Sequence, residues 1–283
     1  MMDIEPLVDK SVYILRETYS QFKKVGLLAS FGKDSVAMLS LCREAFFGQI
    51  PFDVIHINTG YKFPEMYAFR EALTLKWGLN LKVARNLEAM ANDMCPDYGR
   101  FECCTALKTE ALKQLLALEH YDALVVGIRR DEHGVRGKEH IMSPRTREGF
   151  WVPYKHNPEA VESKGIVLNT DMELEGWSLF ESDFGPGMDH VRVHPLLHWS
   201  ELEIWEYTRD RGLPVCPLYF SDMGRRYRSL GCYPCTSPVA SEAATIDDII
   251  EELKSSRVEE RSGRAQDKES ENAMQKLRHL GYM

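Results

Sequence analysis

Apolar residues recur along this chain in two rhythms, and their alternation outlines the fold before any chemistry is considered. Between residues 6 and 22, Leu7, Val8, Val12, Leu15, Tyr19 and Phe22 recur at helical spacing, which predicts an amphipathic helix. A short apolar run over 25–29 predicts a buried strand, and a glycine-bearing turn follows it. Asp34-Ser35 then opens a helix carrying Val36, Met38, Leu39, Cys42 and Phe46. The same alternation continues with a strand over 52–58, a helix over 64–77 and a strand over 81–84. A helix over 105–118 follows, then a strongly apolar strand over 123–128. Strands alternating with helices predict parallel βαβ units in an open, doubly wound, mostly parallel α/β sheet.

From residue 129 to about 191 the rhythm weakens under Gly, Pro and charge, which predicts long loops or an insertion at about 131–190. A last strand is expected over 191–196 and a helix over 200–211. The expected organisation is one α/β domain over 1–235, then a charged C-terminal helical tail over 236–283 with helices near 246–255 and 266–280.

Composition sets outer bounds. The 283 residues are 44% hydrophobic and 28% charged, enough for a full core and without a run approaching a membrane span. The acidic start, Met-Met-Asp-Ile-Glu-Pro, lacks a signal-peptide pattern, so a cytoplasmic protein is expected. A net charge of −8 argues against broad adhesion to nucleic acid. Seven cysteines in such a chain point to metal or redox chemistry before disulfides.

Where sheet strands end, chemistry-bearing residues collect. Ser30-Phe31-Gly32-Lys33-Asp34-Ser35 joins a strand to a helix N-terminus, where unpaired N–H groups and the helix dipole favour an anion. One glycine before the lysine is too few for a Walker A loop. Ligands of such sheets lie at the carboxyl ends of the strands, which brings Ser30–Ser35, Asn58-Thr59-Gly60 and Gly127-Ile128-Arg129-Arg130 to one crevice.

The loop resembles the S-x-G-x-D-S pyrophosphate loop of the adenine nucleotide alpha-hydrolase-like families, whose fold is Rossmann-like. Taken with Asn58–Phe63, Arg129–Glu132, Arg136, Lys138, Glu139, Pro195-Leu196, Leu230-Gly231-Cys232 and Glu260-Arg261-Ser262-Gly263-Arg264, nearly the whole chain resembles the superfamily of phosphoadenylylsulfate reductases and sulfate adenylyltransferase small subunits. Asn58 departs from the aspartate usual there. The resemblance implies ATP cleavage between the α and β phosphates, with Lys33, Asp34, Arg129 and Arg130 as catalytic residues. Ser30, Phe31, Gly32, Lys33, Asp34, Ser35, Asn58, Thr59, Gly60, Gly127 and Arg129 would bind the nucleotide, and Asp34 would help to hold Mg²⁺.

Four cysteines depart from the adenylyltransferase pattern. Cys103-Cys104 and Cys232-Tyr233-Pro234-Cys235 resemble the adjacent pair and G-C-x-P-C-T of iron–sulfur adenylylsulfate reductases, which implies a [4Fe–4S] cluster. Zinc and four buried thiols are the competing readings. No cysteine follows Cys235, so the tail thiol of a reductase is missing.

An adenylyltransferase-like body with a reductase-like cluster resembles the Ssp-type ATP pyrophosphatases of DNA phosphorothioation. That resemblance implies a cysteine desulfurase, other phosphorothioation subunits and DNA as partners, with DNA meeting Arg129, Arg130, Arg136, Lys138, Arg145, Arg147, Arg225, Arg226 and Arg228. The alternatives are sulfate activation beside a GTPase sulfate adenylyltransferase subunit and a non-enzymatic iron–sulfur or nucleotide-binding scaffold.

Overall fold

The computed structural model describes residues 3–132, 136, 139–146, 150, 188–256, 259–265 and 276. Strands β1 (Val25–Leu28), β2 (Asp53–Ile57), β3 (Leu81–Ala84), β4 (Ala123–Val126), β5 (Met142–Thr146) and β6 (Met188–Val193) form one sheet in the order β3-β2-β1-β4-β6-β5. All neighbouring pairs are parallel except β5 with β6. From β1 the chain moves to β2 on one side, while β4 joins β1 on the other. Strand order therefore reverses between β1 and β4, which opens a crevice at their carboxyl ends.

Helices cover both faces, as a parallel sheet requires. Helix α1 (Glu5–Gln21) and α2 (Lys33–Ala45) pack on one face, where Leu15, Leu27, Leu39 and Leu41 are fully buried. The run Arg100–Glu119 covers the other face and buries Leu112 against Ile55, Tyr121 and Leu124. This is the doubly wound, mostly parallel α/β fold that the strand–helix alternation predicts.

Four local expectations are corrected. Strand β5 lies inside the span read as loops. Its Met-Ser-Pro-Arg-Thr sequence shows no alternation and contains Pro144, which a sheet tolerates here because β5 is an edge strand. The last parallel strand is Met188–Val193 and stops before Pro195. The helix expected to start at Thr105 begins at Arg100, continues through a π-helical turn at Thr105–Glu110, and carries Cys103 and Cys104 within it. The buried face of α1 is rotated from the expected one. Tyr19 is 55% exposed, whereas Ser11 is buried and ties Trp199 Nε1 (2.9 Å) to the Pro195 carbonyl (2.8 Å). The helix expected at 266–280 lies outside the described residues.

The C-terminal stretch returns to the body. Helix Ile246–Ser255 starts in a capping box between Thr245 and Asp248 and buries Ile249 and Ile250 with Met66, Trp205 and Tyr219. Residues 259–265 then run back across the crevice, where Ser237 N–H donates to the Gly263 carbonyl at 2.9 Å. A Cβ on Gly263 would lie 2.4 Å from the Ser237 carbonyl oxygen, so only glycine allows this approach. Among the described residues no helix is long and apolar enough to cross a membrane.

Candidate active site

The loop between β1 and α2 is braced by its own serines. Ser35 Oγ accepts the Ser30 N–H at 3.0 Å and lies 3.0 Å from Ser30 Oγ. Phe31 takes a positive φ of 62°, an uncommon conformation for a bulky residue. The turn drives its ring into the core, edge-on to His56 at 5.6 Å. Gly32 caps α2 with extended backbone and no side-chain cap, and Lys33 N–H donates to the Tyr219 hydroxyl at 3.0 Å.

Two cations and three carboxylates interlock behind this loop. Arg129 is fully buried. Its Nε donates to Asp34 at 2.6 Å, NH1 to Asp131 at 2.8 Å, and NH2 to Glu260. Lys33 Nζ reaches Asp34 at 3.1 Å and the other oxygen of Glu260. Burial alone would lower the Lys33 pKa, but Asp34 and Glu260 hold it above the ordinary lysine value. Burial likewise pushes the Asp34 and Glu260 carboxyls upward, and Lys33 with Arg129 overcomes it, so both lie below the usual carboxylate range.

A cavity opens in front of this network over the carboxyl ends of β1 and β4. Its apolar side is Leu28, Ile55, Ile57, Val126 and Ile128, and Gly127 lies flush with it. Its polar side is Ser30, Lys33, Asp34, Ser35, Glu132, Arg136, Arg261 and Arg264, with Lys62 and Lys108 at one end. Six of these residues are cations and two are carboxylates. Arg261 NH1 pairs with Glu132 at 2.9 Å, and Glu132 also takes Arg136. Arg264 NH1 donates to the Leu230 carbonyl at 2.9 Å.

At the Lys62 end lie the cysteines. Burial pushes the Cys232 thiol up, but Lys108, Lys62 and a contact with Thr59 Oγ1 at 3.2 Å bring it down to about 7. Burial, with Cys104 and Cys232 beside it, pushes Cys103 up to about 12. Lys108 Nζ donates to Cys104 Sγ at 3.3 Å.

A family model described as the phosphoadenosine phosphosulfate reductase domain matches residues 24–238. Over 99% of its length the chain is similar to sulfate adenylyltransferase subunit 2 of Azospirillum brasilense, at 37% identity and covering 98% of that protein. The same holds for sulfate adenylyltransferase subunit 2 of Myxococcus xanthus, at 35% identity over 99% of this chain and 96% of that one. The chain belongs to the sulfate adenylyltransferase subunit 2 family. Two solved structures share the fold. Phosphoadenylyl-sulfate reductase from Candida auris, a phosphate complex, matches with a TM-score of 0.54 at 15% identity, over 83% of this chain and 96% of that one. Candida glabrata FMN adenylyltransferase with FAD and pyrophosphate matches with a TM-score of 0.54 at 18% identity, over 82% of this chain and 65% of that one.

Membership of the sulfate adenylyltransferase subunit 2 family overturns the expectation of an Ssp-type phosphorothioation enzyme. The DNA and cysteine desulfurase expectations rested on that reading alone. The arginines offered to DNA are largely internal. Arg129, Arg145, Arg226 and Arg228 are buried in ion pairs with Asp34, Glu139, Glu252 and Glu201. Arg225 is exposed, whereas Lys138 and Arg147 lie outside the described residues.

The [4Fe–4S] expectation is also overturned. Cys103, Cys104, Cys232 and Cys235 do gather at one end of the crevice. Among the described residues, however, no group of three or more His, Cys, Asp or Glu side chains is placed to hold a metal ion. Burial raises the Cys103 and Cys235 thiols, while Cys232 contacts Thr59 Oγ1 and Cys104 accepts from Lys108 Nζ. Asp34, expected to help hold Mg²⁺, has both carboxylate oxygens committed to Lys33 and Arg129.

The other expected residues divide between wall and support. Ser30, Gly32, Lys33, Asp34, Ser35 and Gly127 line the cavity. Phe31 and Arg129 are buried behind it. Asn58 Oδ1 accepts the Gly60 N–H at 2.9 Å and the Tyr67 hydroxyl at 2.8 Å, so it shapes the end of β2. Thr59 faces the cysteine end through Cys232, Gly60 lies beside Met90, and Arg130 turns to the Glu139 carbonyl at 3.4 Å. Unforeseen in these roles were Tyr219, Glu260, Arg261 and Arg264. The dense charge of Glu260-Arg261-Ser262-Gly263-Arg264 within a weakly apolar tail was the available signal.

Proposed function

We propose that the chain is the catalytic small subunit of a sulfate adenylyltransferase, converting ATP and sulfate to adenylylsulfate and pyrophosphate. The observation that carries this reading is the full-length likeness to sulfate adenylyltransferase subunit 2, 37% identical over 99% of the chain. The cavity supplies the chemistry. A sulfate oxygen attacks the α-phosphorus, the bond from that phosphorus to the bridging oxygen of the β-phosphate breaks, and pyrophosphate leaves. No electrons change hands, so catalysis reduces to positioning and charge stabilisation. The apolar side from Leu28 to Ile128 accepts the flat base and ribose. Ser30, Lys33 and Ser35 face the β and γ phosphates, and Lys33 offsets the charge that grows on the leaving pyrophosphate. The relatives are named as a numbered subunit, so we include a companion subunit, with a GTPase as its proposed class.

The test is pyrophosphate release from ATP with and without sulfate, by the chain alone and with the companion subunit co-expressed, alongside chromatographic detection of adenylylsulfate. Sulfate-dependent release with matching adenylylsulfate is expected. Pyrophosphate release that ignores sulfate and yields only AMP would overturn the reading.

A further inference from the structure

Glu260 touches Lys33 of the phosphate loop and Arg129 from the end of β4, yet it does not line the cavity. Lys33 and Asp34 stand on the cavity wall; Arg129 and Glu260 stand behind them. The wall lysine is therefore held from the rear by a carboxylate that arrives more than two hundred residues later in the chain. One oxygen of Glu260 takes Lys33 Nζ and the other takes Arg129 NH2. Arg129 in turn fixes Asp34 through Nε at 2.6 Å. The ring Lys33–Glu260–Arg129–Asp34–Lys33 is closed, each member pairing with two others within it.

We infer that Glu260 is a positioning residue of the site, setting the place and charge of the Lys33 ammonium without meeting the substrate itself. This rests on the adenylyl-transfer reading for its link to turnover, but not for the arrangement it describes. A lysine side chain left free loses rotamer freedom when a phosphate orders it. Glu260 imposes that order beforehand, so the ammonium is in place when charge develops on the leaving group. Glu260 also separates two buried cations. Without it Lys33 and Arg129 face each other with Asp34 alone between them, and Arg129 already acts to deprotonate Lys33.

Arg129, which the resemblance offers as a catalytic and nucleotide-binding residue, fits the same scheme. All three of its nitrogens are engaged by carboxylates, so it orients acids rather than substrate. Neighbouring Arg261 faces the other way, onto the cavity, through Glu132. Successive residues of one short segment thus support the wall and form part of it.

The experiment compares Glu260→Gln and Glu260→Asp with wild type by two readouts. The first is sulfate-dependent pyrophosphate release, resolved into kcat and KM for ATP. The second is trace acetylation of Lys33 by acetic anhydride across pH, read by mass spectrometry. For Glu260→Gln we expect kcat to fall at least tenfold, KM for ATP to stay within threefold, and the Lys33 labelling midpoint to drop by at least one pH unit. Glu260→Asp restores part of both. Either readout unchanged in the Gln variant overturns the inference, and so does loss of the folded state in both variants, which would make the ion pair purely structural. If wild type shows no turnover, the functional reading fails separately, and the labelling midpoint together with inorganic pyrophosphate affinity decides the role of Glu260.

Discussion

Single side chains in this molecule carry two distinct kinds of buried charge problem. His56 and His194 solve theirs by staying neutral. Each Nδ1 donates to a backbone carbonyl, at 3.0 Å to Ala29 and 2.7 Å to His140, while Nε2 is buried without a partner among the described residues. Burial lowers His56 to about 3 and His194 to about 4 from the ordinary 6.5. Between pH 6.5 and about 4 the unfolded chain binds protons that the folded one refuses, so stability falls as pH falls. The slope is at most roughly 1.4 kcal/mol per pH unit for each histidine. Urea melts from pH 7 to pH 4 should show this loss, and His194→Gln should flatten the slope. Lys33 and Arg129 solve the opposite problem with carboxylates. Lys33→Met leaves Glu260 and Asp34 with one cation between them and should cost about 3–5 kcal/mol as well as activity. Thermal melts and pyrophosphate release would read the two losses separately. Ser35→Ala removes a hydrogen bond to the Ser30 backbone and should cost about 1 kcal/mol, with a raised KM for ATP.

Among the elements, those with a strong period were legible and those with a tertiary reason were not. The helix at Pro64–Trp77 appears as expected, because its apolar spacing, Pro at the start and Gly78 at the end act locally. Strand β5 was hidden, since its burial comes from an edge position beside β6 that no local pattern encodes. The face of α1 was misread because Ser11 is buried through partners at Pro195 and Trp199, far away in sequence. The site followed the same rule. The loop Ser30–Ser35 and Gly127 were readable from strand ends, whereas the roles of Glu260 and Arg261 depend on a long-range return of the chain. The four cysteines misled in another way. Their spacing matched a cluster family, but spacing alone does not close three ligands on one centre. One element lends itself to a clean test. Thr245→Ala breaks the capping box of helix Ile246–Ser255 and should cost about 1 kcal/mol in a denaturant melt. Turnover of the folded variant should be retained, because the cap lies outside the cavity lining.

For the molecule as a whole, charge is distributed against its total. The chain carries −8, yet its cavity presents six cations against two carboxylates. An anionic ligand is therefore repelled at long range and attracted only at the mouth, where walls of low dielectric strengthen the local field. Affinity for inorganic pyrophosphate should weaken as salt rises from 0.05 to 0.5 M, approximate settings that span the screening range. Isothermal titration would measure it. Arg261→Ala and Arg264→Ala should each reduce that salt dependence, because each removes one lining cation.

The position of Glu260 also has a consequence for biosynthesis. Lys33 leaves the ribosome long before its counter-charge does, and at about 5–20 residues per second the interval is on the order of ten to forty-five seconds. During that time β1, α2 and β4 can pair, but Lys33 and Arg129 share only the carboxylates already made. A nascent chain arrested short of Glu260 should therefore be catalytically silent even with its sheet assembled. Activity in this protein would begin only after residue 260 has been made and has docked behind Lys33.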